Sequence, residues 1–133
     1  MTQALHGEPL EVVDVKGEWA LVRTAYAYRG WMRVDALADE VDPAWLPSTR
    51  DGDPVEEARA YLGAPYAWGG MTERGIDCSG LVHMAYRRLG KLVPRDADQQ
   101  EEAGLPVAEP TRGDLMSYGE GAADHVAFGL ATG

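Results

Sequence analysis

The first third of the chain is written in short alternating runs, and the middle in helical spacing. PLEVVDV, residues 9–15, is rich in β-branched residues and predicts a strand, closed by Lys16-Gly17-Glu18 as a hairpin turn. WALVRT follows, with Trp19, Leu21 and Arg23 on one side, and a turn near Tyr26 to Arg29 leads into GWMRV. Three short strands at this spacing predict a small β-barrel or meander. A unit of under forty residues is too small to bury a core securely alone, so it is expected to lean on the rest of the chain or to lack a strand. Residues 35–53, DALADEVDPAWLPSTRDGD, carry two prolines, a glycine and six acids and read as a linker. Trp45 and Leu46 are expected to anchor that linker to the second unit.

Helical spacing begins at Asp53. Asp53 fits an N-cap, Pro54 the first helical position, and Glu56 and Glu57 the first turn, where the helix dipole favours acids. Val55, Ala58 and Leu62 mark the apolar face, and Gly63-Ala64-Pro65 ends the helix. A second helix is predicted over Ser79 to Leu89, with Leu81, Val82, Ala85 and Leu89 on one face, Arg87 and Arg88 towards solvent, and Gly90 as its stop. Loop follows from Pro94 to Arg112, with a short helix over Asp98 to Ala103. Two strands, Gly113 to Tyr118 and His125 to Ala131, are joined by the turn GEGAAD.

Bulk properties narrow the partners. The 133 residues carry 12 basic and 22 acidic side chains, a net charge of −10, and both halves are acidic. That disfavours nucleic acid or an anionic membrane, which need a basic footprint. One cysteine makes neither an internal disulfide nor a multi-thiolate zinc site. No apolar run is long enough to span a bilayer, and MTQALHGEPLEVV lacks the pattern of a signal peptide. Read literally the protein is cytoplasmic; as a piece of a longer chain it would be exported to the cell wall.

The chemistry converges on PYAWGGMTERGIDCSG, residues 65–80, around Cys78. At a helix start a thiol meets unpaired N–H groups and a partial positive charge, which favour thiolate and can hold an oxyanion. A lone cysteine is also a common buried residue, and the local pattern leaves both roles open. His125 opens HVAFGLAT. Period-two alternation puts Val126, Phe128 and Leu130 on one face and His125, Ala127, Gly129 and Ala131 on the other. The small-residue face is expected to admit the Cys78 helix, with His125 as base or else as an ordinary surface histidine. His6 lies outside the second unit, and His83 points away from the helix start. Asp77 beside a thiolate is unhelpful unless a cation answers it. A free amine on the substrate would do so; Asp77 also fits an N-cap. Tyr66 and Trp68 suit a pocket wall or the core.

Six stretches in unbroken order, YLGAPYAWGG, GIDCSGLV, YRRLG, LVPRDADQQ, GDLMSYG and HVAFGL, resemble the NlpC-type cell-wall cysteine peptidases over about residues 55 to 130. TQALHGEPLEVV, WALVRT and YRGWMRVDAL are similar to the bacterial SH3-like domains that often precede them. The resemblance implies an α+β fold: a papain-like domain with the cysteine helix on an antiparallel sheet, behind a small SH3-like β-barrel. The expected layout is residues 1–38 SH3-like, 39–53 linker and 54–133 peptidase.

It further implies hydrolysis of the γ-D-glutamyl to diamino-acid bond in peptidoglycan stem peptides, without metal or cofactor. Cys78 matches the nucleophile, His125 the base, and Tyr66 the tyrosine near the oxyanion site. Asp77 and Ser79 match positions that bind the free amine of an N-terminal L-alanine. The family's third polar residue, usually His on the next strand, would fall beyond Gly133, and the SH3-like part lacks its usual first strand. Both domains are therefore expected to be incomplete. A non-catalytic stem-peptide binder and a related cysteine amidase or acyltransferase are the alternatives.

Overall fold

A computed structural model describes residues 1–45 and 48–130. The chain divides into two compact units, one of Ala4–Pro47 and one of Met1–Gln3 with Ser48–Gly133.

The smaller unit is an antiparallel meander of β1 (Leu10–Lys16), β2 (Trp19–Thr24) and β3 (Arg29–Arg33), with β2 central. Gly17, at φ +61°, makes the first turn in a conformation that suits glycine. The β1–β2 register slips between Val12 and Asp14, a bulge that bends the edge strand. Alternation along β2 buries Ala20, Val22 and Thr24 and leaves Trp19, Leu21 and Arg23 on the more exposed side. The linker expectation is corrected at Trp45. Its indole N–H donates to the His6 carbonyl at 2.8 Å, and the Asp42 amide donates to the Gly7 carbonyl at 2.8 Å, so this stretch ties back onto the smaller unit. A tryptophan has one polar atom to satisfy, and this one finds it nearby. Leu46 lies outside the described residues.

The larger unit orders α1 (Pro54–Ala58), β4 (Met71–Thr72), β5 (Gly75–Ile76), α2 (Cys78–Arg87), α3 (Ala97–Ala103), β6 (Leu115–Tyr118) and β7 (His125–Phe128). Asp53 caps α1 as expected, accepting from the Val55 amide at 2.9 Å. The α-helix then tightens into a 3-10 turn over Arg59–Tyr61, which rotates Leu62 off the apolar face and into solvent, 77% exposed. β4 and β5 form a short hairpin that no alternation announces.

α2 packs against α1, β4, α3 and β7. A helix with neighbours on several sides is buried nearly all round. Val82, His83, Met84, Ala85, Arg87 and Leu89 are all buried, so Arg87, expected in solvent, is inside, while Arg88 is exposed and bonded to Glu57 at 2.8 Å. β6 and β7 pair antiparallel, Tyr118 opposite His125 and Leu115 opposite Phe128. Both strands are shorter than predicted, and Ala131 lies outside the described residues. The face of β7 that meets the helix is also the reverse of the expected one. Val126 joins Val82, Ala97 and Ala123 in one core cluster, and Cys78, Tyr86, Leu115 and Phe128 pack onto it. Burying Val126 and Phe128 removes far more apolar area from water than burying Ala127 and His125. Among the described residues no helix is long and apolar enough to cross a membrane.

Candidate active site

Cys78 is the first residue of α2, partly exposed, on a backbone held from several directions. Asp77 is the N-cap and is 5% exposed. Its Oδ1 accepts from the Gly80 amide at 2.7 Å and its Oδ2 from the Gly69 amide at 2.8 Å. Burial pushes the carboxyl pKa up, but the Arg95 hydrogen bond and the two amides outweigh it, so Asp77 is held below its ordinary value. The first turn of a helix has no intrahelical acceptors. With Gly80 taken by Asp77, the amides of Cys78 and Ser79 are the ones left to meet an oxyanion.

Arg95, which sequence reasoning missed, is the cation that answers Asp77. Its side chain is fully buried, with Nη2 2.9 Å from Asp77 Oδ1. Nη1 donates to Ser79 Oγ at 2.8 Å and Nη2 to the Gly70 carbonyl at 3.3 Å. Gln100 adds a second brace, its Nε2 donating to the Ser79 carbonyl at 3.0 Å and the Pro94 carbonyl at 2.8 Å. The glycines explain themselves by contact. A Cβ on Gly80 would stand 2.5 Å from the Gly70 carbonyl oxygen and 2.8 Å from Asp77 Oδ1, and one on Gly70 would stand 2.3 Å from the Gly75 carbonyl oxygen.

Cys78 opens on a cavity of about 210 Å³ lined by Met1, Tyr66, Trp68, Asp77, Ser79, Asp96, Ala97, Asp98, Ala123 and Asp124. Tyr66 and Trp68 stand at its rim, 66% and 71% exposed, so neither is a core aromatic. The Tyr66 pKa is raised, by desolvation first and then by the negative charge of Asp77, so its phenol is a donor at neutral pH. A larger cavity of about 520 Å³ lies between Tyr86, α3, residues 104–107 and β6, and Cys78 does not line it.

Five of the six predicted site residues, Cys78, Tyr66, Trp68, Asp77 and Ser79, thus meet at one cavity. His125 is not among the residues lining it, although its neighbours Ala123 and Asp124 are. The imidazole is 65% exposed, with Nδ1 2.7 Å from Asp124 Oδ1. His83 is fully buried, its ring Nδ1 2.8 Å from the Val93 carbonyl, and burial lowers its pKa to about 4, so it is a neutral core residue. The signal that could have found Arg95 is its place in PRDADQQ: an arginine just before an acidic helix start is a poor match to the dipole and needs another partner.

Residues 63–133, more than half of the chain, match the NlpC/P60 family, and residues 1–37 match the bacterial dipeptidyl-peptidase Sh3 domain. The peptidoglycan endopeptidase RipB of Mycobacterium tuberculosis is 38% identical over 94 residues, which cover 59% of this chain and 39% of RipB. The gamma-D-glutamyl-L-lysine dipeptidyl-peptidase of Bacillus subtilis is 36% identical over 87 residues, 61% of this chain and 29% of that protein. The chain therefore spans well under half the length of these relatives. An NlpC/P60 family protein from Bacillus cereus has a solved structure that superposes on 93% of this chain and 43% of its own, at a TM-score of 0.58 and 27% identity.

Proposed function

The chain belongs to the NlpC/P60 family, and on that premise we propose that it is a cysteine peptidase that cleaves peptidoglycan stem peptides at the γ-D-glutamyl to diamino-acid bond. The observation that carries this is the single thiol at the start of a braced helix, facing a cavity with Tyr66 and Trp68 at its rim.

Cys78 Sγ attacks the scissile carbonyl carbon. His125 takes the thiol proton and returns it to the leaving amine; Asp124 holds Nδ1, which leaves Nε2 for this exchange. The exposed imidazole swings across the rim to reach the thiol, as catalytic hydrogen bonds often tighten only when substrate is bound. The Cys78 and Ser79 amides and the Tyr66 phenol receive the oxyanion. Water then releases the acyl group from the thioester. Residues 54–133 make the peptidase domain and residues 1–38 the SH3-like domain.

Recognition of a free N-terminal L-alanine amine is part of the reading. Asp77 alone no longer demands such a cation, because Arg95 supplies one. What supports it is the acidic lining of Asp77, Asp96, Asp98 and Asp124, and a relative whose name describes removal of dipeptides. Asp77 and Ser79, both lining the cavity, are the pair assigned to that amine.

In the test, L-Ala-γ-D-Glu-diaminopimelate peptide is incubated with the protein and with Cys78→Ala, and products are separated by chromatography. Cleavage is expected from the first, and a loss of at least about 10³-fold from the second. A Cys78→Ala variant that cleaves as fast as its parent contradicts the assignment. The position of His125 off the cavity favours a second reading, a stem-peptide binder. Binding of the peptide by both proteins with cleavage by neither would support it.

A further inference from the structure

Four acids help line the cavity of Cys78, one of them, Asp96, with its Oδ1 3.6 Å from the Met1 amine. Asp77 precedes Cys78, Asp96 and Asp98 come from the start of α3, and Asp124 from the turn before β7. Each disfavours a second negative charge nearby. Arg95 is fully buried and bonds Asp77 Oδ1, Ser79 Oγ and the Gly70 carbonyl, so it grips both residues that flank the thiol and the turn they rest on. Gly80 leaves room for that grip, since its missing Cβ would lie 3.2 Å from Arg95 Nη2. A guanidinium's fixed fork spans two acceptors at once, where an ammonium supplies a point charge alone.

We propose that Arg95 is a positioning residue for Cys78. Its buried charge offsets the acids around the thiol, and its fork fixes the Asp77–Cys78–Ser79 backbone. It touches neither substrate nor the reacting atom. The proposal rests on Cys78 being the reactive group of the site, and its test needs no peptide hydrolysis, so it can stand or fall apart from the peptidase reading.

The test is the rate of alkylation of Cys78, the only thiol in the chain, by iodoacetamide at neutral pH, followed by mass. Removing Arg95 alone would strand a buried carboxylate and endanger folding. The comparison is therefore made where that carboxylate is already neutral. Asp77→Asn keeps a good N-cap; it leaves the guanidinium charge buried in its turn, but that group keeps its bonds to Ser79 Oγ and the Gly70 carbonyl. Asp77→Asn with Arg95→Met removes both charges, a change that buried pairs commonly tolerate. Asp77→Asn is expected to alkylate about tenfold faster than the double variant. Arg95→Lys in the Asp77→Asn background, which keeps the charge, is expected to stay within about threefold of Asp77→Asn. Circular dichroism is expected to show all three folded, and rates are compared among folded variants. Equal rates in Asp77→Asn and the double variant overturn the proposal, because a residue that only stabilises the fold would leave the thiol unchanged. A lysine variant as slow as the methionine variant overturns it too.

Discussion

Gly80 shows how close the packing around the thiol is at the scale of one residue. A methyl group there meets the Gly70 carbonyl oxygen at 2.5 Å and Asp77 Oδ1 at 2.8 Å, both on parts that cannot swing aside. Gly80→Ala is expected to destabilise the protein by about 1–3 kcal/mol, read as a lower urea midpoint, whereas Gly63→Ala meets nothing within 4 Å and is strained only by its φ of +86°. An unchanged midpoint for Gly80→Ala would mean that the helix start is looser than described. At this scale the sequence was informative where chemistry is local. Cys78, Tyr66, Trp68, Asp77 and Ser79 lie within one stretch of fourteen positions, and chain geometry alone brings most of them together. Arg95 stood 16 residues beyond Ser79, and its partner could be read only once the turn before α3 had folded back.

Among the elements, α2 carries both the site and the largest departure from its sequence pattern. Apolar residues at Leu81, Val82, Ala85 and Leu89 suggest one buried stripe. Burial extends to His83 and Arg87 because α1, β4, α3 and β7 enclose the helix together, and periodicity in one helix cannot report how many neighbours it has. β7 taught the same lesson in reverse. Alternation separated its two faces correctly, yet the choice of which face meets α2 depends on apolar area, and Val126 and Phe128 outweigh a face of small residues.

Burial of His83 has a measurable consequence. In the folded protein it stays neutral down to about pH 4, whereas in the unfolded chain it takes a proton below about 6.5. Between those values the unfolded state binds more protons, so stability is full above pH 6.5 and falls as pH drops towards 4, by on the order of 3 kcal/mol. Unfolding midpoints at pH 7.5 and 4.5 should differ less in His83→Gln than in the parent protein. Equal differences in the two would remove His83 from the acid response.

The whole molecule holds two units with different work. The smaller is a three-stranded antiparallel meander with one bulge in its β1 edge; the larger sets Cys78 at a helix start, on a cavity with aromatic and acidic side chains in its lining. Fold class was legible because strand alternation, helix caps and the serial motifs all agreed, and agreement across levels is what makes a sequence specify one structure. The sequence also pointed to His125 as partner of Cys78, but the reach between them depends on where a strand lies against a helix, and His125 stands off the cavity that Cys78 lines.

The central claim is that Cys78 forms a covalent bond to the substrate acyl group. The direct measurement is to mix the protein with L-Ala-γ-D-Glu-diaminopimelate peptide, quench in acid within the first turnover, and weigh the Cys78 fragment by mass spectrometry. The account predicts an added L-alanyl-γ-D-glutamyl acyl group, held as a thioester on Cys78 and absent from Cys78→Ala. Cleavage of the peptide with Cys78 unmodified at every quench time, and unimpaired in Cys78→Ala, would contradict it.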